Sequence, residues 1–547
     1  MNPKNMNVCA GSWRRTDLVR WLAIGATALG FAVCTPSHAA SPGITGPSFD
    51  LDAAPAYITQ PDGQSVYSWG YGCNTAPGGF APAAIKGASC GTMQIPGPTL
   101  IVTEGDSVSV TLHNNLPASA GNTSILFPGF QVATSGGTAG LLTQEATATA
   151  TVTYTFTATS PGTHVYYSGT QSDLQVEMGL YGAIIVLPQA AKVPTNCTAA
   201  GSLAAKNLAA EAFNKESDFR LAAAAYDHPG ACYDREYLFQ FSEMDPVIHH
   251  QAQEQVAAAE ACAGNPGSTT VCPKLNVATE PYHPAYFMIN GRSMPDDMDP
   301  NYAIQYPHQP YNGNPHMHPG ELVLLRVIGT GRWQHPFHEH GNHVRVLGRD
   351  GNLILSASAT TTPSPTDLAG PLLFTTTTTP GLAMDGIFYW TGKGLNWDVY
   401  GHHSGSTGAN ANLACTPDTN GYNTGDPTAL NYYEWCADHD KALETHPFGD
   451  VGGGGPVTLP NVNILVNGAW YGGSPYLGPD ATTRAVGSTG TTPPSGTIAN
   501  SPTGEAGFAF MWHSHNEREI TTNNIFPGGM MMMMLVDSRE FLIDESN

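Results

Sequence analysis

The sequence predicts an all-β protein with more than one domain, and three observations support this. Residues 149–157 alternate between threonine and other, mostly larger side chains with the period of two that is typical of a strand. The chain has 61 glycines and 43 prolines, enough for many turns but below the share found in low-complexity chains. Its 547 residues, 41% of them hydrophobic, can bury the cores of about two to four domains.

Residues 1–39 are predicted to be an export signal. Several basic residues precede the apolar run Trp21–Cys34, and Ser37-His38-Ala39 provides a cleavage site with small residues. The pair Arg14-Arg15 leaves a twin-arginine signal open. We therefore expect an exported protein, periplasmic or extracellular, and no later segment of the sequence has the long apolar run of a membrane span.

The formal net charge of −23 argues against a nucleic-acid partner, because phosphate binding needs a basic surface. It is compatible with a small-molecule or metal-ion substrate. The sequence leaves the formation of a homo-oligomer open.

Eight of the ten cysteines lie beyond the leader, an even number that predicts disulfides in an oxidising compartment. Pairing of nearest neighbours would join Cys73 to Cys90, Cys197 to Cys232, Cys262 to Cys272 and Cys415 to Cys436, although other connectivities stay open. None of these cysteines stands beside a histidine-rich motif, so we expect structural bridges rather than metal ligands.

Strand patterns in two parts of the chain predict two domains, at about 41–195 and 230–547. In the first part they include Ile101–Leu112, which follows a Pro-Gly-Pro turn, and in the second part they start at Tyr237–Phe241. Between the two parts, residues 196–229 contain alanine-rich stretches that predict a partly helical linker.

Several inserts and one methionine run lie in the second part. Surface loops without chemistry are predicted at Thr375–Thr379, Gly452–Gly455 and Ala481–Asn500. Met530–Met534 predicts a core strand, since half of its side chains would point inward. Copper capture by the soft thioethers is the alternative for this run.

Three His-x-His triplets occur where chance predicts about 0.7; they are His316-Met-His318, His338-Glu-His340 and His513-Ser-His515. On a strand, residues i and i+2 point to the same face, so each of the last two triplets would place two imidazoles side by side. If these two strands are neighbours, four imidazoles converge on a site that suits copper, zinc, iron or nickel. The alternative for each pair is a set of hydrogen-bonded interface histidines.

The sequence around these triplets resembles the multicopper oxidase superfamily. His335-Pro-Phe-His-Glu-His-Gly resembles the third copper motif of that family, and His513-Ser-His515 with the following Pro-Gly-Gly-Met resembles its fourth. Pro96-Gly-Pro, Gly179-Leu-Tyr-Gly and Phe287-Met-Ile-Asn-Gly are also similar, so the resemblance spans most of the chain. It implies tandem cupredoxin-like Greek-key β-sandwich domains with a short helical linker and long disulfide-bonded loops.

Departures from the family pattern decide which metal centres the resemblance implies. Ile125-Leu-Phe-Pro-Gly stands where the family has its first histidine pair, and Tyr166-Tyr167-Ser-Gly where it has its second. Ser514 replaces the cysteine that holds the family's blue type 1 copper, and Glu519 replaces a histidine. Of the type 1 ligands only His335 remains. The four-electron reduction of oxygen by a standard laccase-type oxidase is therefore not expected.

We instead expect a mononuclear copper site, with one ion per chain, at the four histidines of the two pairs, His338, His340, His513 and His515. Tyr166 and Tyr167 would face this site across the domain interface, and His335 is a fifth candidate ligand. Such a site predicts a copper-dependent oxidoreductase or, as the alternative, a non-catalytic scaffold for metal sequestration or extracellular assembly. An open coordination position would favour the enzyme, and a closed four-imidazole site the scaffold.

Other polar residues near the motifs are weaker candidates. Glu339, Glu517 and Glu519 are candidates for carboxylates that orient imidazoles, although strand alternation points Glu339 to the opposite face. His316 and His318, with His308 nearby, predict either a copper-loading patch or a cluster of loop histidines. His343 is left without a role.

Overall fold

The computed structural model describes residues 41–83, 85–200, 202–213, 215–265, 271–356, 367–393, 415–437, 473–476, 507–539 and 542–543. The predicted leader and the predicted loops at Gly452–Gly455 and Ala481–Asn500 lie outside the described residues.

A first sandwich is built within residues 43–187. Its strands are β1 (Gly43–Thr45), β2 (Ser48–Thr59), β3 (Ser65–Cys73), β4 (Phe80–Ala81), β5 (Leu100–Thr103), β6 (Ser107–Asn114), β7 (Ala133–Gly136), β8 (Thr138–Ala139), β9 (Gln144–Glu145), β10 (Thr151–Thr157), β11 (Gly162–Tyr167) and β12 (Tyr181–Leu187). One sheet has the order β11-β12-β5-β1-β4, the other has the order β3-β2-β6-β10-β7, and β8 pairs with β9.

The alternation of strand β10 follows the sequence pattern. Val152, Tyr154 and Phe156 point into the core, while the intervening threonines are exposed or half-buried. The predicted strand Ile101–Leu112 is two strands, β5 and β6, which belong to different sheets. The chain crosses between the sheets at Gly105, whose φ of 90° is readily adopted by glycine alone.

A second sandwich is built within residues 235–537. Its strands are β13 (Arg235–Met244), β14 (Tyr286–Ile289), β15 (His316–Met317), β16 (Leu322–Gly329), β17 (Pro336–Glu339), β18 (Val344–Arg349), β19 (Asn352–Leu353), β20 (Leu372–Leu373), β21 (Thr375–Thr377), β22 (Ala383–Tyr389), β23 (Gly473–Tyr476), β24 (Gly507–Ser514) and β25 (Met531–Asp537). One sheet has the order β14-β13-β16-β22-β18-β19 with β20 beside β18, and the other has the order β15-β25-β24-β17-β21 with β23 beside β24.

The core of the second sandwich contains the methionine run. Met530, Met532 and Met534 are fully buried and share one apolar cluster with Phe337 and Trp512. The interpretation of this run as a core strand is therefore confirmed, since alternate methionines fill the space between the two sheets.

The helices are α1 (Ser172–Gln175), α2 (Thr195–Thr198), α3 (Leu203–Phe213) and α4 (Pro246–Ala263). The predicted linker is helical at α3, which contains its first alanine-rich stretch. Its second alanine-rich stretch, at residues 221–225, is not helical, and Ala224 forms a β-bridge with Cys232. Helix α4 was not predicted, although the sequence carries its start signals. Asp245 caps it by accepting a hydrogen bond from the backbone N–H of Val247 at 2.9 Å, and Pro246 takes the first helical position.

The four nearest-neighbour disulfides are all present in the described residues, as Cys73–Cys90, Cys197–Cys232, Cys262–Cys272 and Cys415–Cys436. The all-β sandwich architecture with disulfide-bonded loops is confirmed, while the predicted limits of the two domains stay a prediction. Among the described residues, no helix has the length and apolar character needed to cross a membrane.

Candidate metal centre

Two neighbouring strands of the second sandwich bring the two histidine pairs together. Strands β17 and β24 pair in antiparallel fashion, and the register places His338 directly opposite His513. Phe337 and Trp512 on the same strands point into the core, so strand alternation sends the histidines to the other face of the sheet. The condition on which the four-imidazole prediction depended, that the strands are neighbours, is met.

The imidazoles lie within reach of a common point. Nε2 of His513 lies 3.3 Å from Nε2 of His340. Ligand nitrogens of His338, His340 and His513 are all within 4.8 Å of one another. The ring of His515 stands beside this group, with its centroid 4.8 Å from that of His338. In the described part of the chain, no second group of three histidine, cysteine or acidic side chains brings one ligand atom from each residue within this distance of the other two.

Hydrogen bonds to the outer ring nitrogens set the orientation of two histidines. Nδ1 of His513 lies 2.7 Å from the carbonyl oxygen of Ser514. Because a carbonyl only accepts, Nδ1 carries the proton and the lone pair of Nε2 faces the cluster. Nδ1 of His338 contacts the hydroxyl of Thr375 at 2.7 Å, which fixes the plane of that ring.

The electrostatic environment keeps these histidines neutral. Burial, together with the neighbouring His340, His513 and His515, lowers the pKa of His338 to about 4. Burial is also the main reason that the pKa of His513 is lowered. Neutral imidazoles with available lone pairs are the form that binds metal ions.

The spacing of the nitrogens fits a metal ion. Two nitrogens 3.3 Å apart subtend about 110° at an ion ~2.0 Å from each, which matches a tetrahedral arrangement. His338 and His513 are buried, His340 is half-buried, and His515 is exposed. The site is therefore open to solvent on the side of His515.

Two stretches of the chain match family models described as multicopper oxidase, at residues 89–191 and 278–384. These two matches support membership of the cupredoxin-like superfamily. The resemblance found in the sequence is thereby confirmed, and copper is the metal that this superfamily implies. The second match includes His335, His338 and His340, whereas His513 and His515 lie beyond both matches.

Similar solved structures include the blue copper oxidase from Nitrosomonas europaea, at 14% identity over 89% of this chain and 85% of that chain with a TM-score of 0.40. The copper nitrite reductase from the same organism is 17% identical over 63% and 84% of the two chains, with a TM-score of 0.36. A laccase from Botrytis aclada is 18% identical over 65% and 47%, with a TM-score of 0.34. A search of curated proteins gives no match.

An ion-pair cluster surrounds His335, the residue that the sequence resemblance compares with a type 1 copper ligand. Nε2 of His335 lies 2.9 Å from Glu243, and Nδ1 lies 2.9 Å from Glu519. Burial alone would lower the pKa of His335, but the two carboxylates raise it to about 9. The ring is therefore an imidazolium at neutral pH, and both of its nitrogens face carboxylates. This corrects the prediction that His335 belongs to the ligand set.

The three acidic candidates have different surroundings. Glu519 contacts His335 and Ser514 rather than the four histidines. Glu339 points to the opposite face, as alternation predicted, where it accepts a hydrogen bond from Thr376 and burial raises its pKa to about 8. Glu517 is exposed, and its charge acts on His513 from the solvent side.

In the first sandwich, apolar packing surrounds the two stretches that the resemblance compares with the family's first and second histidine pairs. Leu126 and Tyr167, from the two degenerate motifs, form a β-bridge, and Leu126 packs against Gly169. Tyr167 reaches the interface, where it packs against an apolar cluster that includes Ile328. The prediction for Tyr166 is wrong, because its ring lies in the core of the first sandwich and its hydroxyl donates to the carbonyl of Pro98.

The third His-x-His triplet lies in a separate ion-pair network. Nδ1 of His316 lies 2.8 Å from a carboxylate oxygen of Asp537, and Nε2 of His318 lies 2.8 Å from a carboxylate oxygen of Glu216. His308 is elsewhere, with its Nδ1 2.9 Å from the carbonyl of Met93. The arrangement is that of a structural network rather than a copper-loading patch.

Sequence reasoning missed Thr375 and Glu243. Thr375 was assigned to a surface loop, but it begins strand β21, which pairs with β17 and places Thr375 opposite His338. A run of β-branched threonines is typical of a strand, and this signal was available. Glu243 lies near the end of β13, and nothing in its local sequence indicates a contact with a histidine 92 positions away.

Proposed function

We propose that this protein is an exported copper-binding oxidoreductase with one copper ion per chain, held by His338, His340 and His513 with His515 at the solvent side. The observation that carries the proposal is the 3.3 Å contact between Nε2 of His340 and Nε2 of His513. The hydrogen bond from Nδ1 of His513 to the carbonyl of Ser514 directs Nε2 of His513 toward the cluster. Two lone pairs this close repel each other unless a proton or a metal ion lies between them.

Copper in such a site supplies a one-electron redox couple for a small-molecule or metal-ion substrate. The carbonyl of Ser514 and the hydroxyl of Thr375 hold the rings of His513 and His338 in place. Burial of these two rings excludes water from one side. The exposed His515 leaves the other side accessible, so a substrate can approach close to the cluster. An open approach of this kind favours the oxidoreductase.

Metal sequestration is the second candidate. It is favoured by the ion pairs around His335, which occupy the position where the superfamily has its electron-entry copper. A protein that only stores copper needs no second copper centre through which electrons enter. Export is part of both candidates, and the four disulfides are compatible with an oxidising compartment. In both, nucleic acid is not a partner.

The test compares the protein with the His338→Ala/His513→Ala double variant by copper content and electron paramagnetic resonance. We expect one Cu(II) per chain in the unmodified protein and affinity at least about 100-fold weaker in the variant, since two ligands are lost. His250→Ala is the matched control, because His250 is an exposed residue of helix α4. Unchanged copper binding in the double variant would contradict the proposed site.

The electron paramagnetic resonance signal of Cu(II) also distinguishes the oxidoreductase from a protein that sequesters metal. A Cu(II) signal that small reductants remove and an added oxidant restores supports the oxidoreductase. A signal that persists under both treatments supports sequestration.

A further inference from the structure

The face of β17 and β24 opposite the four histidines holds a buried charged cluster, which we call the clamp and define as Glu243, His335, Ser514 and Glu519. These four side chains are all almost fully buried. His335 immediately precedes β17, and Ser514 is the last residue of β24. The clamp therefore contacts both strands that carry the histidine pairs.

Glu519 joins the two strands directly. One carboxylate oxygen, Oε2, accepts a hydrogen bond from the hydroxyl of Ser514 at 2.5 Å and lies 2.9 Å from Nδ1 of His335. The other oxygen accepts a hydrogen bond from Nδ2 of Asn516 at 2.9 Å. The backbone carbonyl of Glu519 accepts from the N–H of Met530 at 2.8 Å. Both side-chain and backbone groups thus fix Glu519 in the turn after β24.

Backbone hydrogen bonds connect the clamp to the histidines of the cluster. The hydroxyl of Ser514 donates a hydrogen bond to Glu519. The backbone carbonyl of the same residue accepts a hydrogen bond from Nδ1 of His513. The backbone N–H of His515 donates to the carbonyl of Pro336, the residue after His335, at 2.8 Å. A shift of Glu519 would therefore move both histidine pairs relative to each other.

Glu243 anchors the clamp to the other sheet of the sandwich. Its Oε2 lies 2.9 Å from Nε2 of His335. Its Oε1 accepts from the backbone N–H groups of Arg332 at 2.6 Å and Trp333 at 2.9 Å. These contacts fix the segment that leads into β17. A buried charge with two charged partners and further hydrogen bonds is held rigidly, because loss of one partner leaves another charge uncompensated.

We propose that Glu519 is a positioning residue, which acts through Ser514 and His335 to set the distance between the His338/His340 pair and the His513/His515 pair. The proposal deepens the proposed function and rests on the metal site described there. It concerns the placement of the histidines, so it also applies to the protein without metal.

The test uses Glu519→Gln, which retains an acceptor for the hydroxyl of Ser514 but removes the charge opposite His335. We expect copper affinity about tenfold weaker than in the unmodified protein, as is typical when a group behind the ligands is lost. We also expect altered copper hyperfine splittings. In the metal-free protein, the ring-nitrogen resonances of His340 and His513 should shift. Ser514→Ala is a milder second variant that tests the same link if Glu519→Gln fails to fold.

The control is Glu216→Gln, which removes the charge from another buried histidine–carboxylate pair, that with His318. It should lower the thermal stability without changing copper affinity or the resonances of His340 and His513. If Glu519→Gln behaves as this control does, the clamp is structural and the proposal is wrong. If the unmodified protein binds no copper, the proposed function fails, and the nitrogen resonances of the metal-free variants still decide on the clamp.

Discussion

The two faces of the β17–β24 pair hold histidines in opposite charge states. On one face, His338 has other imidazoles as neighbours, and burial with these neighbours lowers its pKa to about 4. On the other face, His335 lies between Glu243 and Glu519, which raise its pKa to about 9 despite burial. The two histidines are only three positions apart in the sequence.

The difference shows that the partners of a histidine decide its function. Neutral imidazoles that face one another offer lone pairs and have no cation, so this face is suited to receive one. An imidazolium between two carboxylates already supplies the cation of its site. The same pair of strands therefore holds one place for a metal ion and one place where a protonated side chain balances the charge.

The strongest way to break this comparison is to convert the clamp into a metal site. Oε2 of Glu519 lies within reach of both the Ser514 hydroxyl and Nδ1 of His335. The double variant Ser514→Cys/Glu519→His would place one thiolate and two imidazoles around this point, the ligand set of blue copper. We expect a second copper per chain and intense blue absorption, measured by visible spectroscopy.

Ser514→Cys alone is the control, since Glu519 would still neutralise His335 and no intense colour should develop. A folded double variant that binds copper without blue absorption would show that the geometry of the clamp does not match a type 1 site.

The charge of His335 predicts a dependence of stability on pH. Its pKa is 6.5 in an unperturbed chain and about 9 in the folded protein, which corresponds to about 3 kcal/mol of unfolding free energy. Because the folded pKa is raised, this contribution is complete below pH 6.5 and is lost as the pH rises through about 9. Denaturant unfolding of the unmodified protein and His335→Gln should therefore differ most at low pH and converge above pH 9. A difference that stays constant with pH would contradict a protonated His335.

The smallest expected effect concerns the hydroxyl behind the cluster. Thr375→Val removes the partner of Nδ1 of His338 while it retains the shape of the side chain. We expect copper affinity about tenfold weaker, or about 1.4 kcal/mol, measured by competition with a chelator. Thr377→Val, at an exposed position of the same strand, should leave the affinity unchanged. Equal affinities for both variants would show that Thr375 does not orient His338.

The sequence was sufficient for the features that depend on local periodicity. The two histidine pairs project from strands because i and i+2 share a face, and their convergence needed only the further fact that β17 and β24 are neighbours. The methionine run and the disulfides between nearest cysteines were predicted for similarly local reasons.

Other features depend on contacts between distant segments. His335 was interpreted as a ligand because its motif resembles the family, but Glu243, 92 positions earlier, gives it a different role. Tyr166 was expected at the interface, yet the alternation of β11 places its ring in the core of the first sandwich. Helix α4 was missed because its alanine-rich sequence has weak amphipathic character, and three of its buried residues, Ile248, Ala252 and Val256, are recognisable only from the sandwich that they cover.

The imidazolium of the clamp also has a consequence for the order of assembly. A core that required a metal ion at His335 would remain incomplete until the ion arrived. Here His335 takes up a proton from water as the core closes around Glu243 and Glu519, and below about pH 9 this proton offsets carboxylate charge without a metal ion. The second sandwich is therefore expected to close and its disulfides to form in the absence of metal, so that copper can be acquired last, by a finished protein.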